Sequence, residues 1–112
     1  MKTKVFVDGQ HGTTGLQIVE KLRVRAEIDL LELSADDRRN VSARADRLNE
    51  ADVAILCLPD DAAKAAVALV QSPTTRIIDA STAHRVTPGW VYGFPELHRG
   101  QREALKAATR IA

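Results

Sequence analysis

The chain is short of cysteine, aromatic residues and net charge, and each shortage removes a class of function. A single cysteine, Cys57, excludes an internal disulfide and a cysteine-based zinc cluster. The three histidines, His11, His84 and His98, are not spaced as metal ligands, so no metal site is expected. A net charge of +1 supplies no overall field to attract nucleic acid or a membrane surface, and neither partner is expected. No apolar run is long enough to span a bilayer. Met1 to Lys4 leads into an apolar run without the pattern of a cleavable signal, so a cytoplasmic protein is expected. Of the four aromatic residues, Trp90, Tyr92 and Phe94 crowd into one segment, and only Phe6 stands apart.

What is present fits one globular domain over 1–112. The 112 residues are 45% hydrophobic and 28% charged, enough for an apolar core without covalent staples. The strongest local signal runs from Lys4 to Ile18. Val5, Phe6 and Val7 form a short apolar run, Gly9, Gly12 and Gly15 follow as G-x-x-G-x-x-G, and Leu16, Val19 and Leu22 then recur at helical spacing. That is the order strand, tight turn, helix, and it is the context in which a glycine motif carries meaning. Glycine permits positive φ and a close backbone approach. The following helix start offers unpaired N–H groups and the positive end of its dipole. Together these make a pyrophosphate site, with Gly9, His11, Gly12, Thr13, Thr14 and Gly15 as its candidate residues. Thr13 and Thr14 are also expected to cap the helix.

The rest of the chain keeps alternating. A strand is expected over Ile28 to Leu33, a helix over Ser42 to Asn49 and an apolar strand over Val53 to Leu58. An alanine-rich helix capped by Asp60 should run to Val70, and Arg76 to Ala80 should form the fourth strand. The expected fold class is α/β, a Rossmann-like doubly wound, mainly parallel sheet with helices on both faces. After Ala80 the alternation breaks. Ser81 to Leu97 reads as irregular chain with a short strand near Val91, Gln101 to Ala108 as a helix, and Thr109 to Ala112 as the opening of another strand. An element that only opens suggests a piece of a longer protein.

Ligands of such sheets bind at the carboxyl ends of the strands, which selects the remaining candidates. At the end of strand two, Glu32 is placed to hold the ribose 2′-OH of NAD, whereas Ser34 with Arg38 and Arg39 would accommodate the 2′-phosphate of NADP. The loop position favours the serine–arginine set and NADP(H), although the two arginines also balance Asp36 and Asp37. Leu58 and Pro59 end strand three at the same edge, where a rigid proline either lines the cofactor or simply starts a helix. Ser81 and Thr82 follow strand four and suit a nicotinamide amide or a phosphate, and His84 with Arg85 suits an anion. Cys57 lies in an apolar strand without a basic neighbour, so it is expected to be a buried core thiol, not a nucleophile.

Four stretches together resemble N-acetyl-gamma-glutamyl-phosphate reductase of the shorter bacterial type: Gly9-Gln10-His11-Gly12-Thr13-Thr14-Gly15, Cys57-Leu58-Pro59-Asp60-Asp61, Asp79-Ala80-Ser81-Thr82-Ala83-His84-Arg85 and Tyr92-Gly93-Phe94-Pro95-Glu96-Leu97. The resemblance covers essentially the whole chain. It implies NADPH-dependent reduction of an acyl phosphate, N-acetyl-glutamyl phosphate, to a semialdehyde in arginine biosynthesis. A cysteine thiolate would form a thioester that hydride then reduces. The family's N-P-G-C-Y-P nucleophile segment does not occur before Ala112, so the resemblance extends to the cofactor portion only and assigns no catalytic residue here. It also implies a homo-oligomer in the longer protein. The competing readings are a stand-alone regulatory NAD(P)-binding domain and the related aspartate-semialdehyde dehydrogenase.

Overall fold

A computed structural model describes residues 2–10 and 12–112. Strands and helices alternate through β1 (Thr3–Asp8), α1 (Thr13–Arg23), β2 (Ile28–Leu31), α2 (Val41–Glu50), β3 (Val53–Leu56), α3 (Asp60–Leu69), β4 (Arg76–Asp79), α4 (Gln101–Ala107) and β5 (Arg110–Ile111). All pairings are parallel, and the order across the sheet is β2-β1-β3-β4-β5. The chain leaves β1 toward one side and returns on the other to β3. Strand order therefore reverses between β1 and β3, which opens a crevice at their carboxyl ends. The expected α/β class and the early element order are observed.

Strand alternation decides which side chains meet the helices. Phe6 is in register with Leu31 and Ala54, and Ala54 with Ile77, so these four form one row across the sheet. They pack with Leu48 of α2, Ala51, and Ala63 and Ala66 of α3 into the main core. The fully buried Phe6, Leu48, Leu56 and Ile77 each contribute roughly 1.5–3 kcal/mol. Val5 and Val7 face the other way, where α1 lies over β1 and β2 and buries Val19. Farther along that same face Ile55 is half-buried and Ile78 is exposed.

Polar side chains tie the helices to the sheet by satisfying backbone groups that secondary structure leaves over. Asn49 donates to the carbonyls of Ala45 and Leu69 and accepts from the amides of Gln71 and Ser72, joining α2 to the end of α3. The buried Thr75 hydroxyl donates to the Ala51 carbonyl at 2.8 Å. Arg76 reaches the carbonyls of Leu105, Lys106 and Ala108 and so closes the end of α4. The segment after β4 returns to the sheet at Val91, which bridges Ile111 in parallel on the far side of β5. The Gln101 side chain holds the Tyr92 carbonyl in place there.

Three local expectations change. Gly12, not a threonine, is the N-cap of α1, and Thr13 and Thr14 are its first helical residues without a capping bond. Pro59 occupies the N-cap of α3, and the Asp60 carboxylate instead accepts from the Thr82 amide at 3.0 Å and the Thr82 hydroxyl at 2.5 Å. β3 ends at Leu56, so Cys57 and Leu58 lie beyond the strand.

Asn49→Ala removes the bonds joining α2 to the chain after α3 and leaves partly buried backbone groups unpaired. A loss of about 2 kcal/mol in unfolding free energy is expected by denaturant titration, with the slope unchanged.

Candidate functional site

The turn after β1 is built on close backbone contact. Gly9 has φ +88°, and a Cβ on it would collide with the Cys57 carbonyl just past β3. A Cβ on Gly15 would collide with the Gly9 carbonyl, so the first turn of α1 sits directly on the turn at this one buried residue. Gly12 donates its amide to that same carbonyl at 3.1 Å, and a Cβ there would meet only ordinary contact. The first-turn amides of α1 have no intrahelical acceptor, and no side chain caps them at Gly12. The arrangement fits an anionic group approaching the main chain. His11 lies outside the described residues.

A cleft of about 510 Å³ opens beside this turn, within the range of small-ligand sites. It gathers Gly9, Gly12, Arg38, Arg39 and Leu58 from the sequence candidates. It also takes in Leu33, Asp8 and Arg44, which those readings passed over. The other candidates stand elsewhere. Thr13, Thr14 and Gly15 belong to α1, and Pro59 is the exposed cap of α3. Ser34 accepts from the Asp37 amide at 3.3 Å and its hydroxyl bonds the Asp37 carboxylate at 3.2 Å, which shapes the loop before α2.

The two readings of strand two separate in space. Glu32 turns to the α1 face and pairs with Arg23. Leu31 and Leu33 pack toward the main core, and Arg38 and Arg39 follow them into the cleft. Among the described residues neither arginine has a carboxylate within ion-pair distance, so Asp36 and Asp37 do not neutralise them locally.

At the end of β1, Asp8 is nearly buried, its side chain 6% exposed, and it receives Arg44 of α2. Arg44 Nε lies 3.1 and 3.2 Å from the two carboxylate oxygens, and Nη2 lies 2.6 Å from Oδ2. A buried carboxylate needs such a partner. Sequence reasoning missed the pair because its members lie 36 positions apart. The one available signal was an acid closing an otherwise apolar strand.

Asp79, in the same row of the sheet at the end of β4, organises a second cluster. It accepts from the amide and hydroxyl of Ser81, each at 2.9 Å, and lies 2.6 Å from His84 Nδ1. An ionised carboxylate only accepts, so that nitrogen carries the hydrogen. The imidazole stacks on Trp90 with ring centroids 4.1 Å apart. Thr82 is tied to the exposed Asp60 and Ser81 to the buried Asp79, so the donor hydrogens of both candidate hydroxyls are directed at carboxylates of the chain itself. Arg85 is exposed.

Cys57 is half-buried, not fully buried as its apolar neighbours suggested. Burial pushes its thiol above the ordinary value, and the negative charges of Asp8 and Asp79 add to this. It is therefore poorly suited to be a thiolate nucleophile. Among the described residues no group of acidic, histidine or cysteine side chains could hold a metal ion. Among the described residues no helix is long and apolar enough to cross a membrane.

Residues 4–108 match the family described as semialdehyde dehydrogenase, NAD binding domain. The chain belongs to this family. Membership of this family supports a nicotinamide cofactor. The chain is similar over its whole length to proteins named N-acetyl-gamma-glutamyl-phosphate reductase, with 54% identity to that of Chelativorans sp. (strain BNC1) and 53% to that of Mesorhizobium japonicum. It is 55% identical to that of Brucella ovis, and it spans 36% of the length of each of these relatives. In fold it is similar to aspartate semialdehyde dehydrogenase from Francisella tularensis, with a TM-score of 0.67 and 15% identity over 97% of this chain and 35% of that one.

The glycines separate stability from binding. Gly15→Ala should cost about 2 kcal/mol or more through overpacking against the Gly9 carbonyl. Gly12→Ala should cost less, about 1 kcal/mol for the poorer N-cap, yet bind a nicotinamide dinucleotide about tenfold more weakly if a phosphate approaches the main chain there. Thermal unfolding and calorimetric titration of both variants check this.

Proposed function

We propose that the chain is the NADP(H)-binding part of a cytoplasmic N-acetyl-gamma-glutamyl-phosphate reductase. The reaction would be conversion of N-acetyl-glutamyl phosphate to its semialdehyde in arginine biosynthesis. The observation that carries the reading is identity of 53–55% across the whole chain to relatives of that name. For the cofactor, support comes from the loop after β2, where Arg38 and Arg39 line the cleft without carboxylate partners while Glu32 is held by Arg23 on the other face. The residues proposed to contact the dinucleotide are Gly9, His11, Gly12, Thr13, Thr14 and Gly15 at the pyrophosphate, and Ser34, Arg38 and Arg39 at the adenosine ribose. Leu58, Pro59, Ser81 and Thr82 are proposed along the sheet edge. Ser34 would act through the loop it shapes with Asp37. When bound, the cofactor supplies hydride; this chain binds and orients it. A homo-oligomeric enzyme is part of the reading, supported by the exposed Tyr92, Phe94 and Leu97.

The isolated chain is expected to bind NADP(H) at least tenfold more tightly than NAD(H), by calorimetric titration. Arg38→Ala should remove most of that preference and leave NAD(H) binding nearly unchanged. Equal affinities in the native chain would overturn the NADP assignment.

The 112-residue chain alone is expected to give no phosphate-dependent oxidation of the semialdehyde. Thioester chemistry needs an activated thiolate, and the only thiol here, Cys57, has its ionisation suppressed by burial and by two nearby carboxylates. Turnover measured as NADPH appearance, present in the native chain and absent in Cys57→Ser, would overturn this.

A further inference from the structure

We infer that Arg44 is a third cationic contact for the 2′-phosphate end of the dinucleotide and that Asp8 is the positioning residue that aims it; the inference rests on the NADP reading above. A guanidinium has two edges and an end, and Asp8 occupies only one edge, taking Nε and Nη2. Nη1, with two N–H groups, has no partner among the described residues. No buried side-chain nitrogen of these residues lacks a partner, so Nη1 reaches open space. Arg44 lines the cleft, and that cleft is the space available to it.

Position strengthens the case. Asn40 caps α2 by accepting from the Ala43 amide at 3.1 Å, which places Arg44 at the end of the first helical turn, directly behind the loop that carries Arg38 and Arg39. Three guanidiniums therefore converge on one cleft, and one carboxylate, Asp8, offsets one of them. The remainder matches the charge of a phosphate monoester, about −1.5 to −2. The arginines differ in kind. Arg38 and Arg39 are exposed on a loop and must lose side-chain freedom to grip a ligand. Arg44 is 82% shielded in its side chain, being 18% exposed, and its orientation is already set by the Asp8 carboxylate. A planar, preoriented fork suits a phosphate better than a mobile charge. If Arg44 served only to neutralise Asp8, its removal would affect every dinucleotide equally. A ligand contact predicts loss confined to the 2′-phosphate.

The test compares adenosine 2′,5′-bisphosphate with AMP, and NADP with NAD, by calorimetric titration at fixed salt. The variant is Asp8→Asn/Arg44→Gln, which removes both charges so that no buried carboxylate is stranded. It should keep AMP and NAD affinity within about twofold and lose tenfold or more of the preference for the 2′-phosphorylated ligands. Asp8→Asn alone should lose part of that preference while Arg44 keeps its charge. A double variant that retains the native preference while Arg38→Ala loses it overturns the role of Arg44 and leaves the NADP reading standing. A native chain without any preference overturns both. Should the variants fail to fold, the native chain decides by arginine-selective labelling with phenylglyoxal and peptide mass mapping. Protection of Arg44 by adenosine 2′,5′-bisphosphate and not by AMP supports the inference; equal protection by both overturns it.

Discussion

The carbonyl oxygen of Gly9 is the point on which the crevice edge of this domain depends. It accepts the Gly12 amide, and it occupies the space that a side chain at position 15 would need. Gly9 itself is pressed against the Cys57 carbonyl, so β1, the turn, α1 and the end of β3 meet within backbone contact distance. Nothing larger than hydrogen fits at positions 9 and 15, and the φ of Gly9 is one that side chains rarely adopt. This contact brings the start of α1 to the crevice between β1 and β3 and leaves its first amides facing outward without a side-chain cap. Site geometry and packing geometry are here the same constraint.

Much of this was legible in the chain, for physical reasons. Short apolar runs at Val5–Val7 and Val53–Leu58 and helical spacing at Leu16, Val19 and Leu22 report local periodicity, and the parallel sheet follows from it. The glycine turn was readable because its conformational demand is local. Capping was misjudged, because the roles assigned to Thr13 and Asp60 rest on a one-residue difference in where a helix begins. Cys57 was expected inside a strand, but β3 stops one residue earlier and leaves it half-buried. The Asp8–Arg44 and Asp79–His84 pairs were not readable as pairs. In the first, the partners are distant in sequence. In the second, nothing in a histidine five positions beyond an acid says that the chain will fold back and stack it on Trp90.

Asp8 and Asp79 stand in one row of the sheet, on either side of Leu56. Two carboxylates on the same face would oppose burial if left alone, and each is given a different kind of partner. Asp8 takes a guanidinium, whose charge does not depend on ordinary pH. Asp79 takes two donors from Ser81 and one from an imidazole held by aromatic stacking. The first arrangement anchors the β1 side of the crevice to α2. The second anchors the chain leaving β4, and Thr82 reinforces it by reaching across to Asp60 at the head of α3. Burial raises the pKa of the neighbouring Cys57 thiol, and the field of both acids raises it further.

The return of Val91 to the sheet has a consequence for assembly of the fold. β5 lies between β4 on one side and the Val91 segment on the other, and its backbone bonds run to both: Arg110 gives its carbonyl to the Val91 amide, and Ala112 gives its amide to the Val91 carbonyl. Both neighbours precede β5 in the chain, so the strand has to enter a slot whose two walls are set by earlier segments. Loss of β5 would therefore open two rows of unpaired amides and carbonyls, one on β4 and one on the Val91 segment, and not a single sheet edge.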